Sequence, residues 1–159
     1  MQQTIDRQAL SHVLDLLRFE ESDNQYYEVK TAAGGFPETA LATICAFANT
    51  PGGGALILGV DESLGFEVVG VYDSKACRQL LTNYAKNEFT VPVEVSTTLL
   101  NVKNRKVVWA EIAEADKVLK PVKTKKREAS IYQTIQWRLS IIRTRARNVY
   151  FGALSKPFR

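Results

Sequence analysis

The sequence predicts an α/β domain in which helices pack on a mixed sheet. Three observations carry this. Apolar residues recur at helical spacing in stretches near 5–19 and 74–87, and 38–48 is small and apolar nearly all round, as suits a buried helix. The run Ala55-Leu-Ile-Leu-Gly-Val60 is apolar throughout and of strand length, as suits a central strand covered on both faces. Two further β-branched segments, 93–100 and 107–112, flank a polar stretch that reads as a hairpin. With 159 residues, 45% hydrophobic and 24% charged, the composition suits one ordinary globular core.

Taken in order, Leu10, Val13, Leu14, Leu16 and Leu17 form the apolar stripe of a first helix that ends near Glu20. Residues 21–25 are a polar turn, and 26–31 have the aromatic and β-branched content of a strand. Alternation puts Glu28 and Lys30 on the same face of that strand. Gly34 and Gly35 break the chain before a helix over 38–48 with Pro37 in its first turn. Residues 49–54 stop that helix, the strand 55–60 follows, and Asp61 lies at its end. A turn at 63–65 leads to a short strand over 66–71. The helix 74–87 carries Ala76, Cys77, Leu80, Leu81 and Tyr84 on one face. The hairpin between 93–100 and 107–112 has a basic tip at Lys103, Arg105 and Lys106.

Charge divides the chain. Residues 1–116 hold 9 basic and 16 acidic side chains, whereas 117–159 hold 12 basic ones and a single acid, Glu128. The reading is therefore an acidic α/β body followed by a basic C-terminal segment, an asymmetry that suits a polyanionic partner. In that segment Ile131, Ile135, Leu139 and Ile142 fit one helical face, and Tyr132, Trp137 and Tyr150 can stack on unpaired bases or fill a core. No run of about 18 apolar residues suggests a membrane span. The start is too polar for a secretory signal, so a cytoplasmic protein without a membrane partner is expected. Cys45 and Cys77 read as buried thiols, and the single histidine, His12, excludes a zinc site needing two.

Four segments occur in order: Glu28-Val-Lys30, the stretch AFANTPGG at 46–53, Gly59-Val-Asp61, and Lys120-Pro-Val122. Together they resemble the Schlafen-type AlbA_2 domain, whose pattern is E-x-K, AFANT-x-GG, G-V-D and K-P-V, over roughly residues 20–122. The resemblance implies a nucleic-acid-binding module, for DNA or RNA, of the kind found in prokaryotic regulators and Schlafen proteins. Binding would need no cofactor, and a homodimer is open. The residues expected to bind are Lys30, Asn49, Thr50, Gly52, Gly53, Lys103, Arg105, Lys106, Lys120, Lys123, Lys125, Lys126 and Arg127. Glycines in 52–54 would let backbone N–H groups approach a phosphate. The loop lacks the G-K-[ST] ending of a Walker A motif. Relatives carry a Y-x-R-x-G-S-like strand soon after K-P-V. Here no Gly-Ser follows Arg138 or Arg145, so either the C-terminal element differs or the reading there is altered, and a missing strand would leave a sheet edge open.

The same resemblance carries an alternative. Schlafen nucleases that resemble this domain bind Mg²⁺ or Mn²⁺ through two glutamates and an aspartate and cut RNA. Matched by motif, these are Glu28 and Asp61, with Glu21 as the upstream glutamate and Glu20 competing for that place. The metal would activate water, and Lys30 would neutralise charge on the phosphate. The bland alternative is that Glu28 and Lys30 are a surface pair and Asp61 a turn residue. Glu28-Val-Lys30 also satisfies half of the PD-(D/E)xK nuclease signature, but a helix and a turn precede it where that signature wants an acidic strand.

Overall fold

The structure, a computed structural model, describes residues 5–125. Asp6 caps helix α1 (Arg7–Glu20), its Oδ1 accepting from the N–H groups of Gln8 and Ala9 at 2.9 Å each. Strand β1 (Tyr27–Lys30), helix α2 (Ala40–Asn49) and strand β2 (Gly54–Leu58) form a crossover unit in which β1 and β2 are parallel. Strands β3 (Val60–Asp61) and β4 (Glu67–Val68) make a separate two-stranded ribbon. Helix α3 (Ser74–Asn87) is capped by Asp73, and strands β5 (Val95–Val102) and β6 (Arg105–Ile112) form an antiparallel hairpin. The main sheet has the order β1-β2-β6-β5, with β2 and β6 antiparallel. It is the mixed α/β sheet expected.

Alternation along the two inner strands sends side chains to opposite faces. Leu56, Leu58, Val108, Ala110 and Ile112 pack with α2 and α3, through Ile44, Phe47, Cys77 and Leu81. Ala55, Ile57, Val107 and Trp109 pack on the other face against Leu10, Val13, Leu14 and Leu17 of α1. Covering on both faces explains why β2 reads as an unbroken apolar run.

Several boundaries differ from expectation, each for a local reason. The second helix begins at Ala40 instead of residue 38: Pro37 lies in the preceding turn, where its carbonyl accepts from Ala40 N–H at 3.0 Å. The strand expected over 55–60 breaks at Gly59, whose φ of +104° bends the chain out of the main sheet and into β3. The strand expected over 66–71 shrinks to Glu67–Val68, because Phe66 and Gly70 both take positive φ. The last hairpin is tighter than a 101–106 loop: only Lys103 and Asn104 turn, at φ +48° and +62°, as a two-residue type I′ connection requires. Cys77 is buried and Cys45 half-buried, and neither forms a disulfide.

The compact unit that holds the sheet runs to Thr124. Beyond Asp116, Val122 is buried in the α2–α3 core, and Thr124 bridges to Phe89. Lys126, Arg127 and the aromatic and arginine residues of the C-terminal segment lie outside the described residues. Among the described residues no helix is long and apolar enough to cross a membrane.

Candidate nucleic-acid interface

Apart from Lys30, which lies on β1 against Glu28, the described residues expected to bind fall into two groups at opposite ends of β6. Gly54 pairs with Ile112 at one end, and the Lys103–Asn104 turn closes the other. Eight residues of strand separate these ends by about 24 Å.

At the Gly54 end the motif residues hold one another. Asn49 Nδ2 donates to the carbonyls of Cys45 (2.8 Å) and Val122 (2.9 Å), and its Oδ1 accepts from Val122 N–H at 2.8 Å. Thr50 Oγ1 donates to the Ala46 carbonyl at 2.9 Å. Gly52 N–H donates to Glu114 Oε2 at 2.9 Å, and Gly53 N–H to the Thr50 carbonyl at 2.9 Å. Lys120 Nζ reaches Glu114 Oε1 at 2.5 Å. These two hydrogen-bonding partners hold the Glu114 carboxyl below its ordinary range, the Gly52 N–H first and Lys120 next. The AFANT-x-GG and K-P-V segments are therefore a clasp, in which the Gly52 and Gly53 N–H groups are already engaged within the chain. Lys123 lies near the end of the compact unit, where its N–H donates to Thr90 Oγ1 at 3.1 Å, and Lys125 is the last described residue.

The expected carboxylates do not gather. Glu21 is the exposed left-handed residue that ends α1. Glu20 Oε2 accepts from Asn24 Nδ2 at 2.9 Å. Glu28 Oε1 accepts from Thr43 Oγ1 at 2.7 Å and from Lys30 Nζ at 2.5 Å, on the α2 face of β1. Asp61 Oδ1 accepts from both the N–H (2.9 Å) and the Oγ (2.6 Å) of Ser63, capping a one-turn 3₁₀ helix over Glu62–Leu64. Among the described residues no three His, Cys, Asp or Glu side chains are grouped to hold a metal ion. The set Glu21, Glu28 and Asp61 thus does not fit a divalent ion as these residues are placed. The acid that sits beside Glu28 electrostatically is Asp23, which the sequence reading passed over. Its Oδ1 accepts from Val29 N–H at 3.0 Å, and its carboxyl is pushed up to about 6 by burial, with Glu62 and Glu28 adding to the rise. Its position five residues before Glu28 and three after the end of α1 was the available signal.

At the hairpin end the pattern is cationic. A cleft of about 440 Å³ between α1 and the hairpin is lined by Arg7, Arg18, Lys103 and Arg105, with Glu67 its one acid. Arg105 stays there because its Nη1 donates to the Val68 carbonyl at 2.8 Å, and Arg18 is held by the Gly65 and Phe66 carbonyls. A second cleft shares Arg105 and adds Lys106, with Asp73 its acid. A third shares Ser74 with the second and runs along α3, lined by Lys75, Arg78 and Lys86 and by no acid. Of the 9 cations in residues 1–116, only Lys30 is outside these adjoining clefts. The cations of α1 and α3 did not figure among the expected residues. Their signal was local: SKACRQLLTNYAKN in α3 has three cations and no acid inside an acidic body.

The crossover sheet, the clasp between the AFANT-x-GG and K-P-V segments and the placement of E-x-K and G-V-D define an α/β domain of the AlbA_2 class. The sequence pattern described as Schlafen, AlbA_2 matches residues 23–148, and the chain belongs to that family. The match continues past residue 122, where the quoted motifs stop. Among solved structures, the chain is similar to the N-terminal domain of an ATP-dependent DNA helicase RecG-related protein from Nitrosomonas europaea. Identity is 27% and the TM-score 0.59, over 72% of this chain and 78% of that one. The DIP2311 protein from Corynebacterium diphtheriae is 22% identical with a TM-score of 0.46, over 76% of this chain and 24% of that one. No curated protein sequence matches.

Proposed function

We propose that this chain is a nucleic-acid-binding domain whose interface starts at the hairpin end of the sheet and runs from there along α3. The observation that carries the reading is the collection of eight of the nine cations of an acidic body into three adjoining clefts. An acidic body gains nothing for its own stability by crowding its cations together, whereas a phosphate backbone rewards it through counterion release. Family membership and the likeness to a domain of a DNA helicase-related protein support the same partner class. Binding by this route uses the chain's own cations and needs no metal or cofactor. The family's occurrence in prokaryotic regulators supports a cytoplasmic role in transcription regulation or in defence against foreign nucleic acid.

The test is a salt titration by fluorescence anisotropy with labelled duplex DNA, single-stranded DNA and tRNA. Binding at low ionic strength that falls steeply as salt is added is the expected result. Absence of binding to all three at low ionic strength overturns the reading.

A further inference from the structure

We infer that the groove between α3 and β5 is a track for the sugar-phosphate backbone of one strand of a DNA duplex. The inference rests on the nucleic-acid reading above and gives it a surface and a form of ligand. Positions 75, 78, 79, 82, 83 and 86 recur at helical spacing, so they share the face of α3 opposite the buried Cys77, Leu81 and Ala85. All six are exposed, and all six line a groove of about 650 Å³ floored by Thr97 and Leu99 of the edge strand. Three of the nine lining residues are cations, none is an acid, and none is aromatic.

Each of these facts points to a paired polyanion. No carboxylate among the described residues pairs with Lys75, Arg78 or Lys86, so their charges are not spent within the fold. Arg78 Nε donates to Thr97 Oγ1 at 3.0 Å, which fixes the guanidinium over the groove floor and leaves its Nη groups for a ligand. Lys75 and Lys86 are eleven residues apart, a helical rise of about 16 Å. One strand of B-DNA presents a phosphate per about 3.4 Å of axis, so the cations can serve several successive phosphates. Gln79 and Asn83 between them offer amide N–H donors to phosphate, while the Thr82 hydroxyl donates to the Arg78 carbonyl at 3.0 Å. A single strand, by contrast, is ordinarily held by bases stacked on aromatic rings, and this groove offers none. Through Ser74 the track opens to the cleft of Lys106 and Arg105, so a bound backbone would run from α3 towards the hairpin.

The test uses the full chain in three forms: wild type, Lys75→Gln/Arg78→Gln/Lys86→Gln, and Lys103→Gln/Lys106→Gln. Each is titrated with a labelled 20-base-pair DNA duplex and with its single strand at several salt concentrations, after thermal melting confirms folding. The α3 variant is expected to bind the duplex at least tenfold more weakly at low salt. The slope of log affinity against log salt should fall by about 2 to 3, near 0.9 per lost phosphate contact. The single substitution Lys86→Gln, which removes an exposed charge and no contact, should lower the slope by about 1. If the hairpin variant weakens binding while the α3 variant binds as wild type does, the inference fails and the nucleic-acid reading stands. Preference of the wild type for the single strand also overturns the inference. If the wild type binds neither probe, both fail.

Discussion

Asn49 clasps Val122 from both sides: its amide oxygen accepts from the Val122 N–H at 2.8 Å, and its amide nitrogen donates to the Val122 carbonyl at 2.9 Å. Val122 is 2% exposed, so truncation of Asn49 strands its N–H in a nearly dry place and leaves its carbonyl only the Cys45 thiol, at 3.2 Å. Asn49→Ala is expected to destabilise the chain by about 2 kcal/mol. Asn49→Asp should destabilise it too, since a carboxylate cannot donate to the Cys45 and Val122 carbonyls. Urea unfolding checks both. A stable Asn49→Ala variant that instead lost nucleic-acid affinity would return Asn49 to the interface.

The two glycines of the same loop separate sterics from backbone conformation. Both have positive φ, +81° at Gly52 and +73° at Gly53. A Cβ on Gly52 meets nothing within 4 Å, whereas one on Gly53 would lie 2.1 Å from the Ile112 carbonyl oxygen. Gly52→Ala should therefore cost about 1 kcal/mol, the left-handed penalty alone. Gly53→Ala adds an overlap with backbone that cannot turn aside, for a total of about 4 kcal/mol. Equal midpoints for the two variants in urea would contradict this.

What could be read in advance depended on whether the determining contact was local. β2 was legible because four consecutive buried residues, Ala55 to Leu58, leave an apolar run, and α3 because Cys77, Leu81 and Ala85 recur at helical spacing. Gly59 was harder to read, because what demands its positive φ is the approach of Gly70 and Lys106, 11 and 47 residues away. The cationic clefts join α1, α3 and the hairpin, three elements that only the folded sheet brings together. Glu21 looked as good an acid as any, yet the left-handed turn at that residue exposes it, and Asp23 is the side chain bonded to β1.

Asp23 gives the fold a pH dependence of definite sign. Its carboxyl titrates at about 6 in the folded chain against an ordinary 3.8, with burial as the main cause. Between these values the folded state holds more of the proton than the unfolded state does, so stability falls as pH rises through about 4 to 6. Asp23→Asn keeps an Oδ1 acceptor for Val29 N–H and removes the charge. The variant should match wild type near pH 3.5 and exceed it at pH 7.5 by about 1 kcal/mol, a figure discounted for the half-exposed site. A stability difference that does not change between the two pH values would sink this account.

Lys103 sets stability against binding. It occupies the first turning position of the type I′ hairpin at φ +48°, where a lysine is strained and asparagine is at ease. Lys103→Asn should therefore stabilise the chain by about 0.5 kcal/mol. The same change removes a cation from the α1–hairpin cleft, so duplex affinity at low salt should drop about threefold and the salt slope by about 0.9. Asn104→Gly relieves the neighbouring position, at φ +62°, without touching a charge, and should leave binding unchanged. Melting curves and anisotropy titrations on the two variants separate the effects. A Lys103→Asn chain that is more stable and binds as well as wild type would remove the hairpin lysine from the interface, and the strain at that turn would then have no counterpart in function.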